Sequence, residues 1–184
     1  MMGQEVVLLN NKNVTSSVEA IVFDFDGVLA ESVEVKTRAY ALLVADEEEE
    51  AVRQFVDYHI KNGGVSRFEK IKVLYRDILQ RPLSEKRFQE LVLQFSNLVV
   101  DEVVAAPWVA GAREFLSQNE KQYNFFIVSG TPEEELDEIV RRRGMAHYFD
   151  SVRGSPKDKV TLLAEIMEEY NLKPGNMVFV GDAE

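Results

Sequence analysis

The 184 residues contain no cysteine, which excludes a disulfide framework, a thiolate zinc site and a cysteine nucleophile. Histidine is almost missing as well. His59 and His147 are the two in the chain, neither has a second ligand at metal spacing, and both read as packed or surface side chains. No apolar run approaches the ~20 residues that span a bilayer, and residues 1–13 lack the basic start and apolar block of a secretory signal. A cytoplasmic protein without membrane contact is the expectation. Basic side chains are in short supply: 21 Lys and Arg stand against 32 Asp and Glu, a net charge of −11. Such a field argues against nucleic acid or an acidic membrane as the main partner. An anionic ligand would have to be drawn in by local charge, which a bound divalent cation would supply.

What remains is ordinary for a chain that buries a core, with 46% hydrophobic and 29% charged residues. The length holds one domain, or a core with a smaller inserted unit. Val6 to Leu9 offers a short edge strand. Ala20-Ile21-Val22-Phe23, apolar at every position, suits a central parallel strand that ends abruptly in Asp24. From about Glu31 to Ala105 the periodicity is helical throughout. Helices are predicted from Val33 to Val44, from Glu47 to Lys61, around Phe68 to Ile78 with a stop at Arg81-Pro82, and from Ser84 towards Val104. Asp46 to Glu50 reads as a solvated helix start. A short helix from Gly111 to Gln118 precedes a second buried strand, Asn124 to Val128. Thr131-Pro132-Glu133-Glu134 has the pattern of an N-cap, a first-turn proline and a capping box. A helix closed by Gly144, a strand near Phe149 to Val152, a helix from Lys159 to Tyr170 and a last strand, Met177 to Val180, complete the alternation. The fold class is α/β, a Rossmann-like parallel sheet with an all-helical subdomain (31–105) inserted into a core made of residues 1–30 and 106–184.

The polar residues of interest all follow predicted strands, where open parallel sheets bind ligands. Asp24 and Asp26 are two positions apart on an extended chain, so they project to one side and repel unless a cation or a shared proton intervenes. Read alone, Asp24-Phe25-Asp26-Gly27 also fits plain turn chemistry with Gly27 at positive φ, whereas a calcium loop lacks its closing Glu. Ser129-Gly130 is either an ordinary strand-to-helix turn or a cradle for a phosphate oxygen at a helix N-terminus. Lys157 and Lys159 are surface lysines or phosphate ligands, and Gly181-Asp182 closes the last strand.

Taken in order, Ile21-Val22-Phe23-Asp24-Phe25-Asp26-Gly27-Val28-Leu29, Phe126-Ile127-Val128-Ser129-Gly130-Thr131, Gly154-Ser155-Pro156-Lys157-Asp158-Lys159 and Val178-Phe179-Val180-Gly181-Asp182 resemble the four motifs of the haloacid dehalogenase (HAD) superfamily. The helical insert is similar to the cap of its subclass I, in the branch that holds phosphoglycolate phosphatases and β-phosphoglucomutases. Gly63-Gly64-Val65-Ser66-Arg67 resembles the substrate-facing loop of such caps. The resemblance implies a Mg²⁺-dependent phosphatase of small phosphorylated metabolites, a monomer or weak dimer. Asp24 is then the nucleophile and Asp26 the general acid and base, kept partly protonated by its neighbour Asp24. Mg²⁺ is held by Asp24, the Asp26 carbonyl and Asp182. Ser129 with Gly130 and Thr131 orients the phosphoryl group, a lysine, Lys159 or Lys157, neutralises it, and Gly64, Ser66 and Arg67 meet the substrate. Tyr40, His59 and Lys70 are further cap residues facing the cleft, and the cap hinges lie near Ala30 to Ser32 and Ala105 to Pro107.

The family's last motif carries a second acid beyond the Gly-Asp pair, with Glu184 as the stand-in here, and its sheet goes on further, which implies a truncated C-terminal part. A phosphomutase of the β-phosphoglucomutase type shares all four motifs and is the alternative. Asp26 speaks against a dehalogenase, whose halide leaves unprotonated, and against a phosphonate-cleaving enzyme built on a Schiff base at Lys36 or Lys61. A phospho-acceptor switch has no use for a large helical insert or for the Asp26 acid.

Overall fold

The computed structural model describes residues 18–182; the edge strand expected at Val6 to Leu9 and the stand-in acid Glu184 lie outside them. Four parallel strands, β1 (Ala20–Phe23), β2 (Asn124–Pro132), β3 (Ser151–Ser155) and β4 (Met177–Val180), form one sheet in the order β3-β2-β1-β4. The apolar run of β1 sits at the centre, paired in register with β2 through Phe23 and Ile127 and with β4 through Phe23 and Val180. Alternation explains why every residue of that run is apolar. Ala20 and Val22 join Phe126, Val128, Leu162 and Ile166 on one face, while Ile21 and Phe23 join Phe125, Ile127, Leu116 and Leu136 on the other. A parallel strand covered on both faces has no polar side to spare. In its edge-to-face contacts Phe23 meets Phe125, Phe115 and Phe149, with centroids 5.5, 6.2 and 6.3 Å away.

Between β1 and β2 run α1 (Val33–Leu43), α2 (Glu49–Lys61), α3 (Arg67–Val73), a π-helical turn (Leu74–Ile78), α4 (Glu85–Ala105) and α5 (Ala112–Asn119). Tyr40, Phe55 and Phe95 stack at the centre of the helical group, with Leu91, Val99 and Val103 buried beside them. Ser66 and Ser84 cap α3 and α4 by accepting from the Glu69 and Arg87 N–H groups at 3.3 and 3.2 Å. The two chain crossings between helices and sheet run side by side: Glu31 N–H donates to Pro107 O at 2.9 Å and Val109 N–H to Leu29 O at 3.2 Å. Arg143 closes the end of α4, donating to the carbonyls of Val103, Val104 and Ala106.

After β2 come α6 (Glu133–Arg142), ended by Gly144 at φ +66, and α7 (Lys159–Glu169), capped by Asp158, which accepts from Thr161 N–H at 2.9 Å. Two sequence expectations shift. The third strand begins at Ser151, because Phe149 turns inward onto Phe23. The capping box at Thr131 does not form: β2 continues through Pro132, pairing with Ser155, and α6 starts at Glu133 with no side-chain cap. The Thr131 hydroxyl is engaged elsewhere, and the Glu133 carboxylate accepts from Gly154 N–H at 3.0 Å across to β3. No helix among the described residues is long and apolar enough to cross a membrane.

Candidate active site

The C-terminal ends of β1, β2 and β4 and the start of α7 open into one cavity of about 640 Å³, roofed by α1, α2, α3 and the loop between α2 and α3. Asp24 is fixed by its own backbone, since its N–H donates to Val180 O at 2.8 Å and ties β1 to β4 one residue before Gly181. Its carboxylate is buried. One oxygen accepts from Phe25 N–H at 2.7 Å, the other from Lys159 Nζ at 2.5 Å. Burial pushes the Asp24 carboxyl above its usual value, Lys159 opposes that, and Asp26 adds to it.

Asp26 faces the same way but in a different setting. Its carboxylate accepts from Ser32 Oγ at 2.6 Å and from Lys36 Nζ, which also donates to Thr131 Oγ1 at 2.7 Å. Burial works upward on Asp26, yet Lys36, Ser32 and Arg67 override it and hold the carboxyl below the usual range. The expected partial protonation of Asp26 by its neighbour is therefore reversed: the raised carboxyl is Asp24, because the cation beside Asp26 outweighs the anion. Ser32 stands before the first residue of α1 and leaves that helix without a side-chain cap, its hydroxyl being spent on Asp26. Lys36 lies one helical turn later, on the same side. That spacing was readable in the sequence; its meaning required the Asp26 turn to fold back onto α1.

Asp182 follows β4 and comes over Gly27, where a Cβ would lie 2.2 Å from its carboxylate oxygen; Gly27 also sits at φ +73. No side chain can occupy position 27 while Asp182 stays there. Loss of hydration and the neighbouring Asp24 push the Asp182 carboxyl up. The described residues contain no cluster of three His, Asp or Glu side chains fit to hold a metal. The carboxylates of Asp24 and Asp182, the second raised by the first, together with the Asp26 carbonyl offer hard oxygens of the kind that suits Mg²⁺, which keeps several waters and needs few protein ligands. The hydrogen bonds of the turn go to Phe25 O and Ala30 O rather than to Asp26 O.

Ser129 is buried at the end of β2, its Oγ accepting from Thr131 N–H at 3.2 Å. Gly130 is where the loop after α2 touches the sheet: a Cβ there would meet Gly64 O at 3.1 Å and Ser66 N at 3.5 Å. Gly64 in turn faces Lys159, with Nζ 3.3 Å from where its Cβ would stand. Asp24, Asp26, Ser129, Gly130, Thr131, Lys159, Asp182, Gly64 and Arg67 thus line one cavity. Lys157 stands apart, exposed and paired with Glu165 at 2.6 Å. Ser66 is occupied as a helix cap.

Arg67 is buried and held by both oxygens of Glu135, at 2.5 and 2.8 Å, with Ser96 on the same carboxylate and the Phe95 ring 4.5 Å below the guanidinium. Glu135, on α6, had no sequence signal beyond its place in an acidic first turn. His59 and Lys70 are both buried, with Lys70 Nζ 2.9 Å from His59 Nδ1.

The family model for haloacid dehalogenase-like hydrolases matches residues 18–184 of the chain. A phosphorylated carbohydrates phosphatase from Thermotoga maritima is 27% identical over 175 residues, covering 91% of this chain and 77% of the relative. Among solved structures, a β-phosphoglucomutase from Clostridium difficile superposes with a TM-score of 0.72 at 18% identity, covering 90% of this chain and 77% of its own. A predicted phosphoglycolate phosphatase from Haemophilus somnus superposes with a TM-score of 0.67, also at 18% identity, covering 91% and 78%. At that identity the structural likeness speaks for the fold alone.

Proposed function

We propose, from the premise that this chain belongs to the haloacid dehalogenase-like hydrolase family, that it is a Mg²⁺-dependent phosphatase of small phosphomonoesters working through Asp24. The observation that carries the reading is the Asp24–Lys159 pair at 2.5 Å: a buried carboxylate aimed into a cavity with an ammonium ready to take up charge beside it. Asp24 attacks phosphorus in line as the ester P–O bond breaks, giving an aspartyl phosphate and the alcohol. Asp26, which takes up a proton from solvent as the phosphoryl dianion enters, delivers it to the departing oxygen. It then takes one from the water that attacks phosphorus, so that orthophosphate leaves and the Asp24 carboxylate is restored. Lys36 holds the Asp26 carboxyl below its usual range, and an incoming phosphoryl dianion adds negative charge that raises it and lets it carry the proton it delivers.

Ser129 and the N–H groups around Gly130 orient the transferring group, and Lys159 neutralises it, an electrostatic contribution that commonly dominates. The carboxylates of Asp24 and Asp182 with the Asp26 carbonyl would hold Mg²⁺, which when bound offsets charge on the transferring oxygens. Residues 31–105 act as a cap over the core of 1–30 and 106–184, opening for exchange and closing against water. The paired crossings at Glu31–Pro107 and Leu29–Val109 support a hinge there. The relative from Thermotoga maritima supports phosphorylated carbohydrates as the substrate class.

The test is phosphate release from sugar phosphates, 2-phosphoglycolate and nucleotides with Mg²⁺, with Asp24→Asn as control. Release that stops in Asp24→Asn is expected, and release that survives rules Asp24 out as nucleophile. Sugar-phosphate isomerisation without phosphate release would mark a phosphomutase instead.

A further inference from the structure

Of the cations that line the cavity, Lys61 is exposed to solvent, and three others already have a carboxylate: Lys159 has Asp24, Lys36 has Asp26 and Arg67 has Glu135. Lys70, on α3, does not. It is 2% exposed, and among the described residues its ammonium has two neutral acceptors, His59 Nδ1 at 2.9 Å and Gly63 O at 3.2 Å. The tautomer of His59 follows from the chain of bonds. The Thr37 hydroxyl donates to Val33 O at 3.0 Å, so it can only accept from His59 Nε2–H at 3.2 Å, leaving Nδ1 as the acceptor for Lys70. Burial and the neighbouring Lys36 and Lys70 ammonium groups keep His59 neutral, its value pushed down to about 3. The imidazole therefore positions Lys70 without cancelling its charge.

An ammonium has three donors and a buried unpaired charge is costly, so a group held this way is relieved by an arriving anion. Its place in the cavity says which anion. Lys70 is joined through His59 to Thr37 on α1, the residue after Lys36, whose ammonium holds Asp26, so it lines the cavity on the side of the acid that serves the leaving group. We propose that Lys70, oriented by His59, is a specificity-determining residue that binds a second anionic group, carboxylate or phosphate, on the alcohol half of the ester. The inference rests on the phosphatase reading for the placement of the phosphoryl group at Asp24.

The test compares 2-phosphoglycolate with 2-hydroxyethyl phosphate, which differ by a terminal carboxylate against a hydroxymethyl group. The unmutated protein is expected to favour the acidic ester in KM by about tenfold or more, the size of one charge-assisted hydrogen bond. In Lys70→Met, and in Lys70→Gln as a second neutral variant, that ratio falls to about one, while Lys70→Arg keeps most of it. Calorimetric Kd values for the two esters, measured on Asp24→Asn with and without Lys70→Met, read the same ratio without turnover. No preference in the unmutated protein, or a preference that persists in Lys70→Met, overturns the proposal. Absence of phosphate release from the unmutated protein with the Kd preference intact would overturn the phosphatase reading and spare this one.

Discussion

The two walls of the cavity differ in their charges, with Lys159 of α7 the cation on the core side. The strand ends supply Asp24, Asp26 and Asp182, whereas the helices between β1 and β2 supply Lys36, Arg67 and Lys70. Where the walls meet, charges pair across them: Lys36 of α1 with Asp26, and Arg67 of α3 with Glu135 of α6. Asp182 on one wall and the buried Lys70 on the other are left out of this pairing. Asp182 has no cation within ion-pair distance among the described residues and is pushed up by Asp24; Lys70 has no anion and is pushed down to about 7, chiefly by burial. Pairing glues the walls together, and the unpaired remainders are the places that await a cation and an anion. A chain of net charge −11 can thus receive an anionic ester, because Lys36, Arg67, Lys70 and Lys159 are gathered around one cavity.

The contrast can be broken from the paired side first. Glu135→Ala strands the Arg67 guanidinium among Phe95 and Ser96, and denaturant unfolding should show a loss of about 3–5 kcal/mol. The double variant Arg67→Met with Glu135→Leu should recover most of that loss, since it leaves no buried charge. Lys159→Met is expected to lower phosphate release by roughly 10²–10³-fold, whereas Lys157→Met, exposed and paired only with Glu165, should change it less than about twofold. Next comes the unpaired acid: Asp182→Asn should raise the Mg²⁺ concentration for half-maximal activity by roughly tenfold or more, read from a metal titration.

The smallest effect sharpens the unpaired cation. Lys70 holds its proton less well folded than unfolded, about 7 against the ordinary 10.5. Between those values the unfolded chain binds more protons, so stability rises with pH across the window. Lys70→Met removes the penalty. Its melting temperature should exceed that of the unmutated protein near pH 6, and the gain should fade towards pH 10.5. The groups that set the shift besides burial are Lys36, Lys159, Asp26 and Asp24.

Most of the strand wall was legible from local sequence. An apolar run ending in Asp24-Phe25-Asp26-Gly27 needs only a central parallel strand to put both acids at its tip, and the structure supplies that strand. The order of the four motifs brought Ser129, Lys159 and Asp182 with it. Local signals failed where a tertiary partner competed for the same group. Thr131-Pro132-Glu133-Glu134 carries a good capping pattern, but Lys36 takes the Thr131 hydroxyl and β3 takes the strand extension. Arg67 lines the cavity as its loop suggests, but its partner Glu135, 68 residues away, had no local signal. The two walls are far apart in sequence, so which cation meets which acid is settled by tertiary pairs alone, Lys36 of α1 on Asp26 and Arg67 of α3 on Glu135 of α6.

The most direct test of the account is to quench the protein in acid during turnover of a phosphomonoester with Mg²⁺ and map the peptides by mass spectrometry. The account predicts a phosphoryl group on the peptide that carries Asp24, absent from Asp24→Asn. Steady phosphate release with that peptide unmodified, or with the label on another residue, would contradict it.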